Sequence, residues 1–145
     1  MRVAAAFLYF TCALAVSSAR AAEPSIVGDW FEDETYGGQR TIAVGHFKPD
    51  GTFSVDFRTC LKKGVIDHTE TGQWTYSGGR LQMMTQTNNG LWVSDVEDYQ
   101  TVSNNGQLWI YKSVAGESFQ ELGQVTFHDA RVEAGSKPPT CDLTS

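Results

Sequence analysis

The chain has 145 residues, 41% of them hydrophobic, with 11 basic and 17 acidic side chains and a net charge of −6. The acid is scattered, and the basic side chains gather nowhere beyond the pair Lys62–Lys63. Such a surface is poorly placed to neutralise phosphates, which argues against nucleic acid as a partner.

In chain order, Arg2 precedes the apolar run VAAAFLYFTCALAV, and small residues lead to Ala19-Arg20-Ala21. A charged start, a short apolar stretch and an A-x-A site are the layout of a secretory signal peptide, too short for a comfortable membrane span. Cleavage is expected after Ala21. Taking 21 residues from 145 leaves residues 22–145, 124 in all, and the loss of Arg2 and Arg20 brings the charge to −8. That length suits one domain with its own core. No later apolar run approaches membrane-spanning length, so the expectation is a soluble periplasmic or secreted protein. Cys12 is a poor lipid-anchor site, because bulky Tyr9-Phe10-Thr11 stands where small residues are needed.

After the leader, short alternating runs between turn signals predict strands near 26–32, 39–48, 52–60, 65–77, 80–88, 92–102, 107–114 and 119–132. Eight strands with short links predict an all-β, antiparallel up-and-down barrel, closed so that no edge is left bare. Lys48-Pro49-Asp50-Gly51-Thr52 reads as a three-residue hairpin loop and Ser77-Gly78-Gly79-Arg80 as a two-residue one. The first sets Phe47 opposite Phe53, Gly45 opposite Val55 and Ala43 opposite Phe57. The second sets Tyr76 opposite Leu81, Trp74 opposite Met83 and Gly72 opposite Thr85. Each turn collects apolar groups on one face. Asn104-Asn105-Gly106 marks a third hairpin, but the strand that follows, Gln107-Leu108-Trp109-Ile110-Tyr111, is apolar on both faces, and its inner face stays open.

The tail from Glu133 through Pro138-Pro139 to Cys141 lacks periodicity and reads as an extended strap. Without Cys12, the cysteines Cys60 and Cys141 remain, an even pair for which an oxidising compartment makes a disulfide the default. Closing a loop of about 80 residues constrains the unfolded chain by roughly 4–5 kcal/mol in the entropic treatment.

Several short motifs resemble those of the lipocalins and the wider lipocalin-like (calycin) barrels. Gly28-Asp29-Trp30 resembles their G-x-W, Glu97-Asp98-Tyr99 their T-D-Y with Glu in place of Thr, and Leu108 to Ser113 the penultimate strand of the bacterial members. The resemblance spans Ser25 to Val132 in strand order and implies a small bacterial β-barrel. It also implies that Arg131 stacks on Trp30, covering the barrel floor through a cation–π contact of about 0.5–2 kcal/mol. The chain is shorter than a typical lipocalin, and a strand follows Ser113 where that family places a helix.

Catalytic patterns are weak. No serine sits in a nucleophile elbow, and Glu97 and Asp98 are strand neighbours that point to opposite faces. His46, His68 and His128 have no metal-ligand spacing, so surface positions, without metal or cofactor, are expected. His128 invites comparison with nitrobindin-type haem barrels, but the glycine-rich extension after the tryptophan is missing. Asp56 and Arg58 alternate with Phe53, Val55 and Phe57, which puts them on the outer wall if the phenylalanines face inward.

Phe47, Phe53, Phe57, Trp74, Tyr76 and Met83 then form either a filled core or the lining of a cavity for an apolar or aromatic molecule, with Trp92 at its rim. The leading expectation is a non-enzymatic barrel that binds such a molecule. The competing one is a solid-core protein-interaction or protease-inhibitory module.

Overall fold

A computed structural model describes residues 24–116 and 123–141; the expected leader, residues 1–21, lies outside them. Eight antiparallel strands close into an up-and-down barrel in chain order: β1 (Gly28–Tyr36), β2 (Gln39–Phe47), β3 (Thr52–Leu61), β4 (Gly64–Ser77), β5 (Arg80–Asn88), β6 (Leu91–Asn104), β7 (Leu108–Ala115) and β8 (Thr126–Val132). The all-β barrel expected from the turns is the fold. Both turn-fixed registers hold: Phe47 faces Phe53, Gly45 faces Val55 and Ala43 faces Phe57. Tyr76 faces Leu81, Trp74 faces Met83 and Gly72 faces Thr85, with a register shift just beyond, between Thr71 and Gly72.

Two expected boundaries move. β1 runs on to Tyr36 instead of stopping at residue 32. Gly37 and Gly38, at φ 56° and 84°, link Tyr36 directly to Gln39, a two-residue hairpin that needs positive φ at both positions. The charges of Glu32, Asp33 and Glu34 disguise this strand, because they break the apolar alternation expected of a barrel wall. At the other end, the last strand begins at Thr126 and not at residue 119. Residues 117–122 of that expected strand lie outside the described ones, and 123–125 carry no strand pairing. The open question on β7 is answered by burial: Trp109, Tyr111 and Ser113 face inward, while Leu108 is exposed.

One end of the barrel is filled. Trp30 and Trp109, both fully buried, meet edge to face at 5.5 Å, and Phe47 lies 5.8 Å from Trp109 and 6.3 Å from Phe53. Ile26, just before β1, plugs this end, and the Trp30 indole donates to its carbonyl at 2.7 Å. Arg131 lies over the Trp30 ring at 4.3 Å and donates to the carbonyls of Gly106 (2.5 Å), Val27 (3.0 Å) and Ser25 (3.0 Å). Gly28 is glycine for this reason: a Cβ there would sit 2.3 Å from Arg131 Nη1, at a φ of 129°.

The barrel closes along a short seam. β1 and β8 pair only over Asp29–Val132, Trp30–Arg131 and Phe31–Ala130, whereas β1 and β2 pair along their whole length. Above Phe31 the seam is bridged by side chains, His128 Nδ1 lying 3.1 Å from Glu34 Oε1.

The strap turns back up the outer wall to the Cys60–Cys141 disulfide, whose Cα atoms are 5.8 Å apart. Arg58 donates to the carbonyls of Pro138 (3.2 Å) and Pro139 (3.1 Å) while holding Asp67 with two bonds. Lys137 Nζ meets Asp56 Oδ2 at 2.5 Å, and the Gly135 amide donates to Asp29 at 2.7 Å. His46 sits between Asp29 (2.8 Å) and Asp56 (3.6 Å). His46, Asp56, Arg58 and Cys60, with Asp29, therefore form one clasp for the strap.

Candidate functional site: a carboxyl-lined cavity in the barrel

The other half of the interior, towards the 37–38, 62–63 and 89–90 turns, holds a cavity of about 310 Å³. That is the lower end of the range for small-molecule pockets. Its floor is the top of the aromatic plug, Trp30 and Phe47. Its apolar wall includes Phe57, Met83 and a ring stack in which Tyr111 and Phe127 lie 5.0 Å apart at 13°.

The polar wall has a pattern. Glu32, Glu70, Glu97 and Asp129 all line the cavity, and no lysine or arginine does. Most of these carboxyls take a proton donor from a tyrosine: Tyr36 donates to Glu32, Tyr99 to Glu97 at 2.5 Å, and Tyr111 to Asp129 Oδ2 at 3.1 Å. Glu70 Oε1 accepts from the Asn88 amide at 3.3 Å and lies 3.8 Å from His68 Nε2. His68 in turn stacks flat on Phe57, ring centroids 4.5 Å apart. The second oxygen of Asp129, Oδ1, is buried without a hydrogen-bond partner, in a residue only 5% exposed.

Burial dominates the protonation of this wall. It pushes Glu32 up to about 7, with the Tyr36 hydrogen bond opposing and the Glu34 charge adding. Glu70 rises to about 7 through burial and then the nearby charges of Glu97 and Asp95. Asp129 is raised well above the usual carboxyl range by burial and by Glu32, which stands next in register across the seam. Burial lowers the His68 imidazole. Glu32 and Glu70 are thus poised between neutral and charged near neutral pH, and neither lysine nor arginine lines the wall beside them.

Of the seven residues singled out from sequence, Phe47, Phe57 and Met83 line the cavity. Phe53 is buried in the plug, and Trp74 and Tyr76 pack against it at the filled end, beside Pro24–Ile26. Trp92 lies at the cavity end of β6 but is 82% exposed and pairs with Thr87 away from the lining. Asp98 faces outward to Arg80 and Gln82, and its neighbour Tyr99 faces inward. The three histidines do not meet: His46 is in the strap clasp, His68 in the cavity wall, and His128 on the seam. His46 Nε2 has no hydrogen-bond partner among the described residues, and Ser54 is its cross-strand neighbour.

Sequence reasoning missed the acids and Tyr36, Tyr111 and Phe127. The signal was parity: counting by twos from an inward residue leads from Trp30 to Glu32, from Tyr99 to Glu97 and from Phe127 to Asp129. Comparisons with family models, with curated proteins and with solved structures find no match to this chain.

Proposed function

We propose that this chain is an exported, lipocalin-like barrel that holds a small molecule with an apolar or aromatic body and carries out no catalysis. The observation that supports this best is the division of the interior. A barrel whose role is only structural gains by filling both halves, since each unfilled apolar region forfeits packing. Here a two-tryptophan plug fills one half and a cavity of about 310 Å³ stands above it. The Cys60–Cys141 disulfide suits an oxidising compartment.

Trp30 is both floor of the cavity and partner of Trp109, so a bound ring should perturb tryptophan emission. Titration with small aromatic probes is expected to give a saturable change. A linear, non-saturable response across a panel of such probes overturns the reading.

One observation favours the alternative of a protein-interaction module. The β5–β6 hairpin exposes Leu91, Trp92 and Val96 on its outer surface, a larger apolar display than isolated surface residues give. Replacing Leu91 and Trp92 with Ser leaves probe binding intact if the cavity is the functional site.

A further inference from the structure

The cavity wall has a chemical preference that an apolar pocket would lack. The geometry points to a ligand carrying a protonated nitrogen, a small aryl- or alkyl-ammonium, whose charged head sits between Glu32 and Asp129 and whose body lies on the aromatic floor. This deepens the reading just given and rests on it.

Three observations carry it. First, four carboxyls from four strands face one small cavity that contains no cationic side chain from lysine or arginine. Structural carboxyls buried in a wall are normally paired with such a cation, because an uncompensated buried charge is costly.

Second, Tyr111 satisfies one oxygen of Asp129 and leaves the other, Oδ1, buried and unpartnered. Once Asp129 is ionised, that oxygen is an acceptor in a residue 5% exposed, with no donor among the described residues. An N–H group supplies that donor, whereas an alkane or a carboxylate does not.

Third, among the described residues no three His, Cys, Asp or Glu side chains converge closely enough to hold a metal ion. The acids ring the wall instead of meeting at a point. That spacing suits an organic cation with several N–H directions and an apolar body. The faces of Trp30, Tyr111 and Phe127 add cation–π and stacking surface beside it.

Charge and protonation are linked in this site. The titratable groups that face the cavity are Glu32 and Tyr36 from β1, His68 and Glu70 from β4, Glu97 and Tyr99 from β6, Tyr111 from β7 and Asp129 from β8. β2, β3 and β5 add none, and Glu34 and His128 stand beside the seam. A cation entering this set favours the ionised carboxyls, so binding expels protons. Affinity therefore rises with pH through the range where Glu32 and Glu70 titrate, about 7 for each. It falls again where the ammonium itself titrates, near the usual amine value of about 10.

The test compares three probes of nearly the same shape on the folded protein: 2-phenylethylammonium, 2-phenylethanol and 3-phenylpropionate. At about pH 8 the ammonium is expected to bind at least roughly tenfold more tightly than the alcohol, and the carboxylate not measurably. At about pH 5.5 that advantage shrinks. Calorimetry in two buffers of different ionisation enthalpy is expected to show protons released with the ammonium and none with the alcohol.

Asp129→Asn and Glu32→Gln each remove the ammonium preference while leaving alcohol binding in place, which also reports that the variants are folded. Equal affinities for ammonium and alcohol, or a preference unchanged in both variants, overturn the cation assignment and leave the cavity reading standing. If none of the three probes binds saturably, the cavity reading fails and this assignment with it.

Discussion

The two halves of the barrel interior are built from the same strands by the same alternation, yet they differ in kind. In the filled half the inward residues are Trp30, Phe47, Phe53, Leu81 and Trp109, and their polar atoms are few and satisfied. In the cavity half the inward residues include Glu32, Glu70, Glu97 and Asp129, each with a hydrogen-bond donor and none facing a lysine or arginine in the cavity lining. The filled half supplies stability, and the cavity half is held at a cost. Carboxyls held where hydrocarbon would pack better are what the proposed cation site requires.

The largest test of that division is Trp109→Ala. Trp109 is fully buried and touches Trp30, Phe47 and Tyr111, so its loss should destabilise by about 3–5 kcal/mol in denaturant unfolding, the usual range for a core Trp→Ala. A cost below about 1 kcal/mol would mean that the plug is not the main core.

Cys60→Ser comes next. The disulfide fastens the strap near the rim of the cavity half, across a sequence separation of 81. Its loss is expected to cost about 2–4 kcal/mol by thermal unfolding without reductant. Wild type treated with reductant should fall to the same midpoint; a wild type indifferent to reductant would show that the strap is held by its polar clasp alone.

A smaller effect separates the halves by pH. Glu32 and Glu70 are raised from 4.5 to about 7 in the folded protein. The folded state therefore holds more protons than the unfolded state between those values. The stability they contribute is complete below about 4.5 and is lost as pH rises through about 7. The ligand-free protein should melt about 4 °C or more lower at pH 8 than at pH 5, the shift that roughly 1 kcal/mol makes in a domain of this size. Glu32→Gln should flatten the difference. Smallest of all, Trp92→Ser on the outer surface should move stability by less than about 0.5 kcal/mol.

The filled half was legible in the sequence and the cavity half was not. Lys48-Pro49-Asp50-Gly51 and Gly78-Gly79 fix two registers, and apolar alternation then reports which face is inside. Where the inward face turns acidic, that signal reverses. Glu32-Asp33-Glu34 looks like the end of a strand, although Gly37-Gly38 carries the same hairpin signature as Gly78-Gly79. The same error hides Asp129 and Glu97, because a charge at an inward position reads as outer wall. The clasp around the strap was half legible: Cys60 and Cys141 announce each other, but nothing in the spacing of Asp29, His46, Asp56 and Arg58 says that a tail lies across them.

The short seam gives the barrel an uneven mechanical character. A rolled sheet whose margins are stitched over three residues at one end behaves like a spring clip: fixed at the jaw root, with lips that part under load. The load here is electrostatic. Glu32 and Asp129 stand on opposite lips, and the charge of Glu32 opposes the ionisation of Asp129; on the proposed reading, a cation between them would draw the lips together. Backbone amide exchange along β8 between Thr126 and Asp129 would therefore slow on cation binding, while the jaw root at Trp30 and Arg131 would not register the change.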